Sequence, residues 1–301
     1  MTGIYPYVSI IVPCREEGHY VGQTIRQMMN TPAGIPYEII VVDDGSRDGC
    51  CDFLRRELNA PGTKAGGPAV NLLTTSGVGA ARARNLGAAA ARAAFLVFCD
   101  AHVIVSPGWL EGLLGCLEKR EADAVCPAIE LTRPPGYTFY GGAWNKNLSW
   151  TGIQKPPPGL QAVPLLPSGC LGVRADVFRG AGGFEKGFRI WGYEDAEFSL
   201  KLWLFGYRAA VWPSVRVLHV SRTLHSYQSG EHLVHNLLLL AVLHFSGERL
   251  ARAVSLARRY PGFTPGLEQK LREKYSGRRQ AYFRRRVFSD DWFMQKFGIP
   301  F

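Results

Sequence analysis

Three stretches carry side chains whose types and spacing could do chemistry. The first is Asp100-Ala101-His102, which closes the apolar run FLVFC. Residues i and i+2 of a strand project to one side, so a carboxylate and an imidazole face one crevice there. Such a pair can share a divalent ion, and the mixed oxygen–nitrogen donor set suits Mn²⁺ (or Mg²⁺). An Asp after a buried strand also serves as a helix cap. The second is His219, in SVRVLHVSR. Taken alone it is a core histidine. As a third ligand it completes an Asp/His/His set with positions open for the charged oxygens of a diphosphate. The third is Trp191-Gly192-Tyr193-Glu194-Asp195, reached through glycines at 182, 183 and 187. Acids favour a helix N-terminus, which is one use for the pair. A catalytic carboxylate near a metal-held leaving group is the other, and glycine turns with two aromatics exceed what a cap requires.

These residues need a frame. Val8–Val12 (VSIIV), Glu38–Val42 (EIIVV), Val70–Thr74 and Phe95–Cys99 read as strands, the apolar β-branched runs being suited to burial on both faces. Helices are predicted between them over Thr24–Asn30, Asp52–Leu58 and Gly79–Ala94, with another from Trp109 to about Lys119 before a short strand at Ala124–Pro127. Strand–helix alternation means parallel pairing by crossover connections, an α/β fold. Functional groups then gather at the carboxyl ends of the strands. After Ile129 the Pro-rich and aromatic segments RPPGYTFYGGAW and KPPPGLQAVPLLPSG predict loops and irregular strands around an acceptor site. Order returns from Phe178, with a helix over Asp195–Phe205 and a last strand or loop over Val211–Val220. From about Gly230 the pattern is helical, with Leu233–Phe245 an amphipathic or buried helix.

The 301 residues are 47% hydrophobic and 20% charged, which excludes a disordered or collagen-like chain. The longest apolar stretch, Leu233–Phe245, contains His235 and Asn236 and is shorter than the ~20 residues a bilayer requires. The N-terminus has no basic segment ahead of its apolar run, so no signal peptide is expected. Seven cysteines in no regular spacing read as reduced thiols of a cytoplasmic protein. Of the net charge of +10, residues 225–301 carry +7, from 13 Lys and Arg against 6 Asp and Glu. That points to an anionic partner for the C-terminal part.

In order along the chain, VSIIVPCREEG, EIIVVDDGSRDG, GAARARNLGAA, VFCDAH, GGFEKGFRIWGYEDAEFSLKLWLFGY and VRVLHVSR resemble the family-2 nucleotide-sugar glycosyltransferases of the A-type fold. The DAH triplet, YGGAWNKNLSW, FRIWGYEDAEFSLKLW and SVRVLHV are similar, more narrowly, to the catalytic domain of the polypeptide N-acetylgalactosaminyltransferases. The resemblance covers about residues 5–224. It implies a Rossmann-like, mainly parallel sheet flanked by helices as a catalytic domain over 1–224, with a basic, mainly helical appendage over 225–301. It implies transfer of a hexosyl or N-acetylhexosaminyl group from a UDP-sugar to an acceptor: glycan, peptide, lipid-linked sugar or metabolite. Position by position, Pro13 begins the nucleotide loop and Glu17 is its acid. Asp44 contacts the uracil ring while Asp43 supports the turn. Arg82 or Arg84 reaches the base or diphosphate, and Asp100, His102 and His219 hold the metal. Trp191 and Glu194 shape the sugar and acceptor pocket, and Asp195 is the candidate base.

Two departures stand out. The commoner family-2 metal motif is Asp-x-Asp, and here the third residue is His102. The N-acetylgalactosaminyl group, which retains anomeric configuration, has Glu-Asn where this chain has Glu194-Asp195. Glu-Asp is the usual inverting arrangement, in which a carboxylate deprotonates the acceptor. A nucleotidyltransferase would share the sheet and the metal site, yet Arg15 has no glycine-rich loop before it. A non-catalytic sugar- or membrane-binding protein on the same fold would not require the metal set and the Glu-Asp pair. In the C-terminal segment, Arg284-Arg285-Arg286 stand among Phe283, Phe288, Trp292 and Phe293. They read as a basic helix folded back by its aromatics, or as a contact peripheral to the inner face of a membrane. No nucleic-acid motif accompanies the charge.

Overall fold

The computed structural model describes residues 6–59, 67–221 and 230–301. The expected boundary between 224 and 225 lies outside them. In chain order the elements begin β1 (Val8–Cys14), α1 (Tyr20–Asn30), β2 (Tyr37–Asp43), α2 (Asp52–Asn59), β3 (Ala69–Thr74), α3 (Ala80–Ala90) and β4 (Phe95–Cys99). Next come β5 (Val103–Ile104), α4 (Trp109–Glu118), β6 (Ala124–Leu131), β7 (Thr138–Phe139), β8 (Gly142–Trp144), β9 (Trp150–Gly152) and β10 (Gln161–Ala162). The remainder are β11 (Cys170–Arg174), α5 (Ala175–Ala181), α6 (Glu194–Leu204), β12 (Ala209–His219), α7 (Glu231–His244), α8 (Gly247–Ala257), α9 (Leu267–Arg285) and α10 (Asp290–Lys296).

The main sheet runs β10-β12-β6-β11-β4-β1-β2-β3. The pairs β4–β1, β1–β2, β2–β3 and β6–β12 are parallel, as the strand–helix alternation requires. The segment after Ile129, expected to hold loops and irregular strands, also contributes a regular central strand: β11 inserts antiparallel between β4 and β6. Alternate residues feed two cores. Ile10, Val12, Val97 and Cys99 face α1, α2 and α4, while Ile11, Leu96 and Phe98 face the other layer with α5, α6 and the C-terminal helices. On that second face α3 sits close to β1 because residue 87 is glycine; a Cβ there would lie 2.4 Å from Ile11 Cγ2.

The C-terminal helices share the second core. Val234, Leu237, Leu238 and Leu240 of α7 pack in the same cluster as Phe98 of β4 and Phe198 of α6. A polar knot fastens α6 to α7. Glu197 Oε1 lies 2.8 Å from His244 Nε2, and Lys201 Nζ donates to Glu197 at 3.1 Å and to the Gly183 carbonyl at 2.6 Å. All three side chains are completely buried, so each depends on the others for its hydrogen bonds. Burial opposes ionisation of Glu197, but Lys201 and His244 outweigh it and lower its pKa.

The basic segment is largely engaged by the protein itself. Arg278 pairs with Glu185, Arg279 donates to the Val242 carbonyl, and Arg286 donates to the His244 carbonyl and lies 3.4 Å from Asp290. Arg285 stands over the Phe205 ring, and Phe288 stacks on Trp292 with centroids 3.8 Å apart. This is a folded-back arrangement: Phe293 is buried in the core and Trp292 packs against it, while Phe283 and Phe288 are partly buried. Among the described residues no helix is long and apolar enough to cross a membrane.

Candidate active site

Asp100 and His102 reach His219 through a short strand pairing. Immediately after the triplet, β5 pairs antiparallel with the end of β12, placing Val103 opposite His219, and the Val220 amide donates to the His102 carbonyl at 2.9 Å. The 119-residue separation between Asp100 and His219 is thereby closed: Asp100 Oδ2 lies 3.3 Å from His219 Nε2. The rings of His102 and His219 meet edge to face with centroids 4.6 Å apart. One ligand atom from each of Asp100, His102 and His219 lies within 4.8 Å of the others.

The surroundings of this trio fit a cation. Burial alone would raise the Asp100 carboxyl; the hydrogen bond to His219 and the charges of Arg84 and the two imidazoles outweigh it and hold it well below the usual carboxylate range. His102 Nδ1 lies 3.1 Å from Glu17 Oε2, which orients the ring and leaves Nε2 for an ion, a carboxylate–histidine pairing common at metal centres. Among the described residues, buried His219 Nδ1 has no hydrogen-bond partner. Residue 169 must stay small, since a Cβ there would lie 3.2 Å from the His219 ring and 3.4 Å from Asp100 Oδ2.

Two cavities meet here. The smaller, about 190 Å³, is lined by Pro13, Arg15, Glu17, Asp44, His102 and neighbouring residues. The larger, about 640 Å³, is lined by Ser168, Gly169, Glu194 and Asp195 and by Phe139, Trp144, Leu148 and Trp150 from the Pro-rich, aromatic region. Arg84, Asp100, Trp191 and His219 border both. Arg84 is the link between them. Buried on α3, it donates to Asp100 Oδ1 at 3.0 Å and to Glu194 Oε1 at 3.1 Å. Arg82 is not part of this site. Two residues along a helix turn a side chain roughly 200°, and Arg82 projects outward to the Lys186 carbonyl at 2.8 Å.

The two acids at the start of α6 have different settings. Glu194 is buried against Arg84, and burial pushes its carboxyl up to about 7 despite that charge. Asp195 is half-buried, lines the larger cavity and accepts the Ala196 amide at 2.7 Å. The helix N-terminus lowers basicity in principle. Here burial outweighs both Arg84 and the amide bonds from Ala196 and Ser168, and the Asp195 carboxyl is raised. Asp43 and Asp44 also divide. Asp43 accepts the Ser46 amide and Arg55, supporting the turn. Asp44 accepts Thr75 Oγ1 and the amides of Val78 and Gly79, at 2.6 and 2.9 Å, and lies 3.8 Å from Arg15.

The family model for Glycosyl transferase family 2 matches residues 9–180. The chain belongs to that family. It is 31% identical to polypeptide N-acetylgalactosaminyltransferase 8 of Drosophila melanogaster over 237 residues, 72% of this chain and 38% of that protein. To polypeptide N-acetylgalactosaminyltransferase 10 of Rattus norvegicus it is 31% identical over 251 residues, 77% of this chain and 41% of that protein. The chain thus spans about two fifths of the length of these curated relatives. The crystal structure of GalNAc-T7 with UDP, GalNAc and Mn²⁺ superposes with a TM-score of 0.76 at 20% identity, covering 98% of this chain and 57% of the other. The family-2 chain therefore has the A-type fold and resembles the catalytic domain of the polypeptide N-acetylgalactosaminyltransferases.

One residue of this family-2 site escaped the sequence reading. Asn236 of α7 is completely buried. Its Nδ2 donates to the carbonyls of Arg189, Trp191 and Gly192 at 2.9, 3.2 and 2.9 Å, and its Oδ1 accepts the Arg189 amide at 2.9 Å. It pins the loop that leads into Glu194, where Ile190 and Tyr193 hold positive φ. The signal was an amide within the run LVHNLLLLAVL. Asn236→Leu keeps the branched heavy-atom outline, in a somewhat bulkier side chain, but strands those backbone groups. Chemical denaturation is expected to show a loss of about 1–3 kcal/mol, the cost of unpaired buried groups.

Proposed function

We propose that this chain transfers a sugar from a UDP-sugar to an acceptor hydroxyl, with Mn²⁺ or Mg²⁺ held by Asp100, His102 and His219 and with Asp195 as the base. The observation that carries the reading is the convergence of those three ligand atoms where the two cavities meet, with Asp195 on the wall of the larger one. The smaller cavity, bounded by Pro13, Arg15, Glu17 and Asp44, is the nucleotide side. The larger, with its aromatic wall, is the sugar and acceptor side. A bound divalent ion offsets the charge of a departing diphosphate. Arg84 supplies fixed positive charge beside the metal ligands and holds Asp100 in orientation. Glu194, committed to Arg84, positions that arginine and leaves the acceptor proton to Asp195. Transfer by direct displacement inverts the anomeric centre.

A retaining transfer is the second reading, and the likeness to the polypeptide N-acetylgalactosaminyltransferases supports it. Their names, together with the UDP and GalNAc in the GalNAc-T7 structure, make UDP-N-acetylgalactosamine and a hydroxyl-bearing peptide the first donor and acceptor to assay. The product anomer, read by proton NMR, separates the two mechanisms.

Asp44 gives a test of nucleotide choice. An acceptor carboxylate suits the uracil ring N–H, which guanine does not present in the same place. Asp44→Ala is expected to weaken UDP binding by about 1.5–3 kcal/mol, the range for a hydrogen bond involving a charged group. Calorimetric titration of UDP and GDP checks it; equal affinity of the native chain for both nucleotides contradicts the assignment.

A further inference from the structure

Beneath the nucleotide-side loops lies a second cluster of metal-ligating side chains. Cys14 closes β1, and Cys50 and Cys51 immediately precede α2. The Sγ atoms of Cys14 and Cys51 are 3.3 Å apart, those of Cys50 and Cys51 are 3.9 Å apart, and all three lie within 4.8 Å of one another. Among the described residues no other three cysteines converge in this way. Zinc–thiolate bonds of ~2.3 Å in a tetrahedral array require sulfur–sulfur separations of about 3.8 Å, and the observed spacings bracket that value. We infer that Cys14, Cys50 and Cys51 form a binding site for a thiophilic metal ion of the Zn²⁺ class, each supplying one thiolate.

The electrostatics favour one thiolate in the trio, at Cys50. Hydrogen bonds from Cys14 and Cys51 draw the Cys50 thiol far below the ordinary range in spite of burial; the bond to Cys50 raises Cys14, and Cys51 is raised as well, its bond to Cys14 being outweighed by its bond to Cys50 and by burial. One proton is thus easily lost from the trio, and the positive end of α2 favours a thiolate at its start. Binding of the ion releases the remaining thiol protons to solvent, with no change in oxidation state. Cys50, 7% exposed, is the most open of the three, against 3% for Cys14 and none for Cys51. The site has a mechanical consequence. The loop after Cys14 is already tied to the loop before Cys50: the Glu16 amide donates to Ser46 Oγ at 3.2 Å, the Arg47 amide to Glu16 Oε1 at 2.9 Å and the Gly18 amide to Asp48 Oδ2 at 2.7 Å. A shared ion staples the two loops from below, close to Pro13 and Asp44.

The test uses the reduced, chelator-stripped 301-residue chain and needs no nucleotide. Titration with Cd²⁺ is expected to give thiolate-to-metal charge-transfer absorbance that saturates at one equivalent and is displaced by Zn²⁺. Cys50→Ser is expected to weaken the absorbance-detected binding by at least about 10²-fold, beyond the 10–100-fold that supporting residues typically contribute. Cys116→Ser, on α4 and outside the trio, is expected to leave it unchanged. Should Cys50→Ser fold poorly, X-ray absorption of the native chain with one equivalent of Zn²⁺ decides the matter: three sulfur scatterers support the site. Absence of charge-transfer absorbance, a zinc shell of nitrogen and oxygen alone, or a Cys14–Cys51 disulfide persisting in reductant overturns it.

Discussion

Asp195→Asn is expected to lower sugar transfer by about 10²–10⁴-fold, the usual contribution of a positioned general base, while leaving UDP affinity nearly unchanged. The substitution keeps shape and retains an acceptor for the Ala196 amide that Asp195 now binds. It removes only the capacity to take the acceptor proton. Because burial raises the Asp195 carboxyl above its ordinary value, the native pH–rate profile should fall on the acid side as that group protonates. The asparagine variant should lose that limb. It also recreates the Glu-Asn pair of the retaining group, so the outcome separates the two stereochemical readings. Full activity in the variant, or retention in the native product, contradicts a base at Asp195 and favours the retaining mechanism.

His219→Ala is the second large effect. Loss of one of three ligands removes the ion's stabilisation of the leaving diphosphate, worth several kcal/mol, and each 1.36 kcal/mol is a factor of ten in rate. Metal-dependent turnover should therefore drop by on the order of 10³-fold. The fold should survive, because β12 pairs with β5 and β6 through its backbone and the His219 side chain is only partly buried. Circular dichroism and a Mn²⁺ titration of turnover check the two halves of the expectation. Unaltered Mn²⁺ dependence removes His219 from the metal set.

The parts of the fold legible in the sequence were those with local causes. VSIIV and EIIVV are apolar and β-branched and FLVFC is apolar and aromatic, compositions that suit short buried strands, and they form β1, β2 and β4. The triplet at the end of β4 was legible for the same reason: it follows such a run. What failed to show locally depended on partners far along the chain. CLGVR is short and follows Pro-rich sequence, and it becomes the central strand β11 only because β4 and β6 leave an antiparallel slot between them. Arg82 and Arg84 are equivalent as residue types; which one enters the site depends on which face of α3 meets the sheet. Asn236 broke an apolar run, but its loop is more than forty residues earlier. Charge counting located the basic C-terminal segment correctly, yet Glu185, Asp290 and backbone carbonyls take up much of its hydrogen bonding from within.

Metal-dependent transfer from a UDP-sugar can be read from the initial rate of UDP release across a panel of UDP-sugars as Mn²⁺ is titrated into the chelator-stripped native chain. Saturable activation by Mn²⁺ is expected with at least one UDP-sugar, with return to background when the chelator is restored. UDP release that proceeds equally in excess chelator, or no release with any donor at saturating Mn²⁺, would contradict it.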